Sequence, residues 1–99
     1  MDTEEAIIKL KKYKQLLAKY MQFDAMILFG SHAKGTARED SDVDVAVVVD
    51  ELSGDFFSTR PLLWKIRREI DDRIEPVLID KSHDDGDFLS EVMEHGVVI

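Results

Sequence analysis

Asp42 and Asp44 stand two residues apart at the head of the apolar run Val45-Ala46-Val47-Val48-Val49, and ten residues separate them from the small pair Gly30-Ser31. In a strand, residues two apart point to the same face, so the two carboxylates project together while Val43, Val45 and Val47 point the other way. Like charges about 4 Å apart repel by roughly 4 kcal/mol at an effective dielectric near 20, and a divalent cation offsets that repulsion. The donors are hard oxygens, cysteine is absent, and His32, His83 and His95 show no zinc-site spacing, which favours magnesium or manganese over zinc. Gly30-Ser31 follows the apolar segment Ala25-Met26-Ile27-Leu28-Phe29. It offers a backbone that can approach a phosphate closely, and a hydroxyl donor. Together the two elements describe a pocket able to hold a triphosphate and its metal ions.

Other readings of the same residues are weaker. Asp40, Asp42, Asp44 and Glu51 occupy the first, third, fifth and twelfth places of a calcium loop, but the sixth place needs glycine and holds Val45. The acids could also be a solvated strand entrance. Lys34 and Arg38 could neutralise a triphosphate or its pyrophosphate leaving group, or simply be solvated. His32 reads as a loop residue. No Walker sequence and no Gly-x-Gly-x-x-Gly is present.

The elements that must position these residues follow from periodicity. Asp2 or Thr3 can cap a first helix with Glu4 and Glu5 in its opening turn, and Ile7, Leu10, Tyr13, Leu17 and Tyr20 form one apolar stripe. Residues 25–29 predict a strand, 31–34 a short helix stopped by Gly35, 36–41 a polar loop and 43–49 a second strand. Asp50 to Thr59, with Ser53-Gly54-Asp55, reads as a loop. Thr59 then caps a helix with Pro61 in its first turn and Leu62, Ile66 and Ile70 buried. Asp71-Asp72 ends that helix. Glu75 to Ile79 is a third strand, and Pro76 places it at a sheet edge or at the strand's start. A last helix turns Phe88, Leu89, Val92 and Met93 inward and stops at Gly96, before a terminal strand. Phe56, Phe57 and Trp64 either fold back over the core or form a partner-binding patch. The expected fold class is α/β, a small mixed sheet with packed helices, in a single domain over residues 1–99.

Composition narrows the function classes. A formal charge of −8 argues against a general nucleic-acid surface, which needs an excess of lysine and arginine. Residues 1–20 carry five lysines against three acids, a net of +2, so the other 79 residues carry −10. The amino terminus lacks the basic-then-apolar order of a signal peptide, and no apolar run nears the roughly 18 residues of a membrane span. A cytoplasmic location is expected, with no membrane association.

The stretch Gly30-Ser31-His32-Ala33-Lys34-Gly35-Thr36-Ala37-Arg38-Glu39-Asp40-Ser41-Asp42-Val43-Asp44 resembles the signature of the polymerase-beta-like nucleotidyltransferases. Within that superfamily it is most similar to the minimal nucleotidyltransferases encoded beside a HEPN-type ribonuclease toxin. The similarity extends to the ending Glu94-His95-Gly96-Val97-Val98-Ile99, which looks like the family's last helix and terminal strand. The resemblance implies the polymerase-beta-like fold and two magnesium ions held by Asp42 and Asp44. It implies ATP as substrate, its phosphates bound by Gly30 and Ser31 with Lys34 and Arg38 nearby. It also implies a third acid on the third strand, which shares an ion and can accept the attacking hydroxyl's proton. That acid is commonly Asp in the family and is Glu75 here, one methylene longer. Asp80, five residues on, falls on the opposite face about 16 Å away. Ninety-nine residues leave no room for an acceptor-binding domain. The implied acceptor is therefore a tyrosine hydroxyl on a cognate HEPN-type toxin, silenced by AMPylation, with this chain as its antitoxin in a hetero-oligomer. Two alternatives stand beside this: neutralisation by binding alone, and the catalytic half of a small-molecule nucleotidyltransferase.

Overall fold

A computed structural model describes residues 1–50, 56–83 and 87–99, the side chains of residues 56–58 and 83 excepted. Ser53-Gly54-Asp55 and Glu51 lie outside the described residues, as do the side chains of Phe56 and Phe57. Helix α1 runs over Thr3–Leu17, its first turn closed by Asp2, whose carboxylate accepts from the Glu5 amide at 2.8 Å. Ala6, Leu10, Tyr13 and Leu17 form its buried stripe, with Ile7 beside it. Tyr20, expected on that stripe, is 59% exposed. The helix ends at Leu17, so the 3.6-residue period no longer carries Tyr20 inward.

Four strands, β1 (Ala25–Phe29), β2 (Val43–Val49), β3 (Ile74–Asp80) and β4 (Val97–Val98), make one mixed sheet in the order β3-β2-β1-β4. The β1 pairings with β2 and β4 are antiparallel, while β2 and β3 are parallel. The parallel pair requires a crossover, which α3 (Phe56–Arg67) supplies. Pro76 sits on β3, an edge strand, as expected for a residue without a backbone donor.

Side-chain alternation divides the core in two. Met26, Leu28, Val43, Val45 and Val47 meet α1 and α3 on one face, while Ile27, Ala46, Val48 and Ile79 meet α4 (Phe88–His95) on the other. The phenol of Tyr13 is buried between α1 and α3 and donates to the Leu63 carbonyl at 2.9 Å.

Four expectations about the helices need correction. Helix α3 is already formed at Phe56, so the expected loop does not reach Thr59 and Thr59 is not a cap. Pro61 lies inside the helix, where it removes only the bond to Phe57 and the helix passes through. The deepest residues of α3 are Leu63 and Ile66, with Leu62 and Ile70 at the rim, because Leu63 faces Tyr13. Trp64 is 37% exposed and carries the Arg67 guanidinium 4.3 Å above its ring. In α4, Val92 is buried and Leu89 half-buried, but Met93 is 51% exposed and Phe88 36%, Phe88 meeting Phe29 edge-on at 5.7 Å. Eight residues cover only a narrow strip of the sheet. Gly96 does cap α4, with an extended backbone rather than a left-handed one. What requires glycine there is space, since a Cβ would lie 2.4 Å from the Val92 carbonyl oxygen and 2.5 Å from Ile27 Cγ2.

Candidate active site

Two strand registers assemble the site. In the antiparallel β1–β2 pair Phe29 stands opposite Asp44, so the chain leaves β1 beside the carboxylates that open β2. In the parallel β2–β3 pair Asp44 stands opposite Glu75. The start of β2 is tied down by the Val43 amide, which donates to the Arg73 carbonyl at 2.8 Å. Asp42, Asp44 and Glu75 thus alternate onto the same face, and residues distant in sequence converge at one end of the sheet. Asp80 pairs with Val49 at the far end of β3 and accepts from Ser82, which removes it from the site.

Gly30 leaves β1 with φ +74° and ψ −149°, a conformation essentially reserved for glycine. Its missing side chain makes room for Asp44, because a Cβ would stand 2.3 Å from Asp44 Oδ2. Ser31 begins the short helix α2 (Ser31–Lys34), which Gly35 closes in the left-handed conformation, its amide donating to the Ser31 carbonyl. The loop that follows is cinched by Ser41, whose hydroxyl accepts from the Arg38 amide at 2.7 Å. Lys34 and Arg38 are exposed on these two segments.

The carboxyls perturb one another. Burial, then the charge of Asp42, pushes the Asp44 carboxyl above its usual range, against the opposing pull of His32 and a hydrogen bond from Glu75. Burial, then the charges of Asp42 and Asp44, pushes Glu75 up as well, with a hydrogen bond to Asp42 adding to the shift and Arg67 opposing it. Among the described residues, as the side chains stand, no three carboxylates or imidazoles gather around a single metal position. The donor set nevertheless fits magnesium. That ion keeps several waters and takes one or two carboxylates plus substrate phosphates rather than an all-protein cage.

Two residues of this neighbourhood escaped the sequence reading. His32 is not a loop residue; it lies on α2 and is 3% exposed, held by the Thr3 hydroxyl at 3.2 Å from Nδ1. Arg67, which nothing in the sequence singled out, donates through Nη1 to the carbonyls of Asp72 and Ile74 and so fixes the strand start that carries Glu75. The acidic turn before β3 is anchored too. Burial would raise the Asp71 carboxyl, but Lys9 of α1 and Arg73 outweigh it and hold it down to about 2.

Comparison with known proteins gives the family to which the chain belongs. The sequence profile of the family described as "Polymerase beta, Nucleotidyltransferase" matches residues 11–99. The chain belongs to the polymerase beta nucleotidyltransferase family. A relative from Methanocaldococcus jannaschii, named "Putative protein adenylyltransferase MJ0141", is 31% identical over 96% of this chain and 99% of its own. A second protein of that organism with the same kind of name, MJ1379, is 39% identical over 50% of this chain and 49% of its own. Among solved structures, a Sulfolobus solfataricus chain described as a "putative nucleotidyltransferase" superposes with a TM-score of 0.66 at 18% identity, over 96% of this chain and 82% of that one. A chain of a toxin–antitoxin structure with AMP-PNP superposes at 0.60 and 21% identity, over 99% of this chain and 72% of that one. At those identities the two superpositions establish the nucleotidyltransferase fold, a mixed four-stranded sheet with packed helices.

Proposed function

We propose that this polymerase beta nucleotidyltransferase transfers AMP from ATP to a protein hydroxyl, and that the acceptor is a tyrosine of a cognate HEPN-type toxin that this chain silences as an antitoxin. The observation that carries the transferase reading is the convergence of Asp42, Asp44 and Glu75 beside the Gly30-Ser31 turn. The adenylyltransferase names of its relatives and the toxin–antitoxin context of a fold neighbour support the acceptor class. The resemblance of the whole Gly30–Asp44 stretch to the minimal nucleotidyltransferases supports the toxin.

In the reaction the acceptor hydroxyl oxygen bonds to the α-phosphorus of ATP as the bond to the β-phosphate oxygen breaks, and pyrophosphate leaves. Asp42 and Asp44 would hold two magnesium ions, with manganese as a substitute, and Glu75 would share the ion on the attacking side. Those ions would supply charge stabilisation to the entering and leaving oxygens. Glu75, on the attacking side, would also be the carboxylate placed to take the hydroxyl proton. Gly30 and Ser31 position the β and γ phosphates, and Lys34 and Arg38 supply countercharge to the departing pyrophosphate.

One observation favours a second reading, neutralisation by binding alone. Glu75 is one methylene longer than the family's usual Asp, which changes how it reaches a shared ion. Protection of cells against the co-expressed toxin separates the two. The enzyme reading expects Asp44→Asn to lose protection at equal abundance, and undiminished protection would favour binding alone.

A further inference from the structure

Helix α3 and the turn that leaves it, residues 56–68, carry Arg60, Lys65, Arg67 and Arg68 and no acid. That is a net of +4 in a chain of −8, so the other 86 residues carry −12. Leu63 and Ile66 face the core, while Arg60, Trp64 and Arg68 follow one another at intervals of four along the exposed side, with Lys65 beside Trp64. The chain's one indole thus stands in a line of cations on the outside of the fold, its ring carrying the Arg67 guanidinium at 4.3 Å.

This outer face is joined to the attacking side of the site. Arg67 donates to the carbonyl of Ile74 at 3.0 Å, and Ile74 precedes Glu75. Strand β3 is the sheet edge on that side, and α3 packs on it. With Glu75 sharing the ion at the entering oxygen, the acceptor arrives over the β3 edge, alongside α3. Tryptophan and arginine are the residues that carry most of the binding energy in protein interfaces, tryptophan through a desolvated ring and arginine through its planar fork.

We propose that the outer face of α3, from Arg60 through Trp64 to Arg68, docks the protein acceptor, and that the acceptor meets it with an acidic segment whose apolar side chains cover the indole. This rests on the adenylyl-transfer reading and names the surface chemistry of that reaction's partner. Charge selects an acidic protein segment over the other polyanion that four cations attract. A nucleic acid presents one negative charge per about 1.7 Å of duplex, and the −12 carried outside residues 56–68 repels every phosphate beyond the helix. An acidic protein segment is short enough to meet the helix alone.

Calorimetric binding of the adjacent open reading frame's product, without ATP, tests the surface apart from turnover. Lys65→Glu/Arg68→Glu is expected to bind about 10-fold or more weakly than the wild type, and to lose the wild type's sensitivity to salt. Trp64→Leu should weaken binding about 30-fold. Magnesium-ATP affinity should stay at the wild-type value in both. Lys11→Glu/Lys12→Glu makes the same charge change on α1 and should weaken binding far less. Should Trp64→Leu melt early, the charge-reversed variant, altered only at exposed positions, carries the test.

Intact mass after addition of ATP and magnesium separates the two readings. Loss of binding in the α3 variants with no AMP gain by the wild-type pair would sink the transfer reading and keep the docking surface. Full binding and full AMP gain with the α3 variants would sink the surface and keep the transfer reading. The surface is also overturned by a neighbour that does not bind, by equal loss in the α1 variant, or by a single-stranded RNA or a second copy of this chain that binds through the same residues in the neighbour's place.

Discussion

Gly30 and Asp44 share one volume: a Cβ on Gly30 would stand 2.3 Å from Oδ2 of Asp44. The turn that approaches the phosphates and the acid that opens β2 are therefore fitted to each other before any ligand arrives.

Gly30→Ala and Gly35→Ala form a matched pair. Both glycines have φ near +75°, but a Cβ at Gly35 would meet nothing within 4 Å. Gly35→Ala should cost roughly 1–2 kcal/mol of backbone strain, or about 4–16 °C in melting temperature, and Gly30→Ala more, because its ψ of −149° belongs to a region essentially only glycine enters. Gly30→Ala alone must also displace the Asp44 carboxylate. Magnesium-ATP binding measured by calorimetry should be lost in Gly30→Ala and kept in Gly35→Ala.

The carboxyl cluster sets a pH signature for the metal-free protein. Burial and mutual repulsion raise Asp44 and Glu75 above their ordinary values, so the native state retains protons that the unfolded chain has released. The stability this gives is whole below the ordinary carboxylate range and is lost as pH rises through the raised values. Asp71, held to about 2, acts oppositely, its contribution fading only as pH falls towards 2. Unfolding in EDTA should therefore show stability declining as pH rises above the ordinary carboxylate range. Asp44→Asn should flatten that decline and exceed the wild type at pH 7. Magnesium at about 100 times its dissociation constant should add about 2.7 kcal/mol to the wild type, and little to Asp44→Asn.

Much of this arrangement is legible in the residues. The Gly-Ser turn, the Asp-x-Asp pair and the bounds of β1, β2 and α2 follow from spacing, because a two-residue period and glycine's conformational freedom act locally, whereas Glu75 was singled out by the family resemblance. His32 and Arg67 are not legible in that way. Each works through a partner far along the chain or through a backbone carbonyl, Thr3 for one and Ile74 for the other, and such contacts leave no periodic trace. Tyr20 and Met93 were misplaced for a related reason: periodicity marks which face of a helix is apolar, while the helix's end and the sheet area available determine how far burial extends.

Arg67 should prove irreplaceable by lysine. One nitrogen, Nη1, serves both carbonyls while the guanidinium plane lies over Trp64, a stacked arrangement that an ammonium cannot reproduce. Arg67→Lys is expected to cost about 1–3 kcal/mol by chemical denaturation, and to weaken magnesium binding because the strand start bearing Glu75 loosens. Trp64→Leu, which removes only the stacked ring, should leave magnesium binding intact.

Tyr13→Phe provides the control remote from the chemistry. It removes one buried hydrogen bond, while the Leu63 carbonyl keeps its partner within α3, at a cost of about 0.5–1.5 kcal/mol. Melting temperature should fall, at about 4–8 °C per kcal/mol, with AMP transfer per folded molecule unchanged.

Intact-mass analysis of the partner most directly tests adenylyl transfer by the Asp42–Asp44 pair. The product of the adjacent open reading frame, incubated with this protein, ATP and magnesium, should gain the mass of one or more AMP groups. The gain should vanish with EDTA and with Asp42→Asn or Asp44→Asn, although both variants remain folded. A partner that gains no mass with the wild-type protein, or gains it equally with the Asp variants, would contradict the assignment.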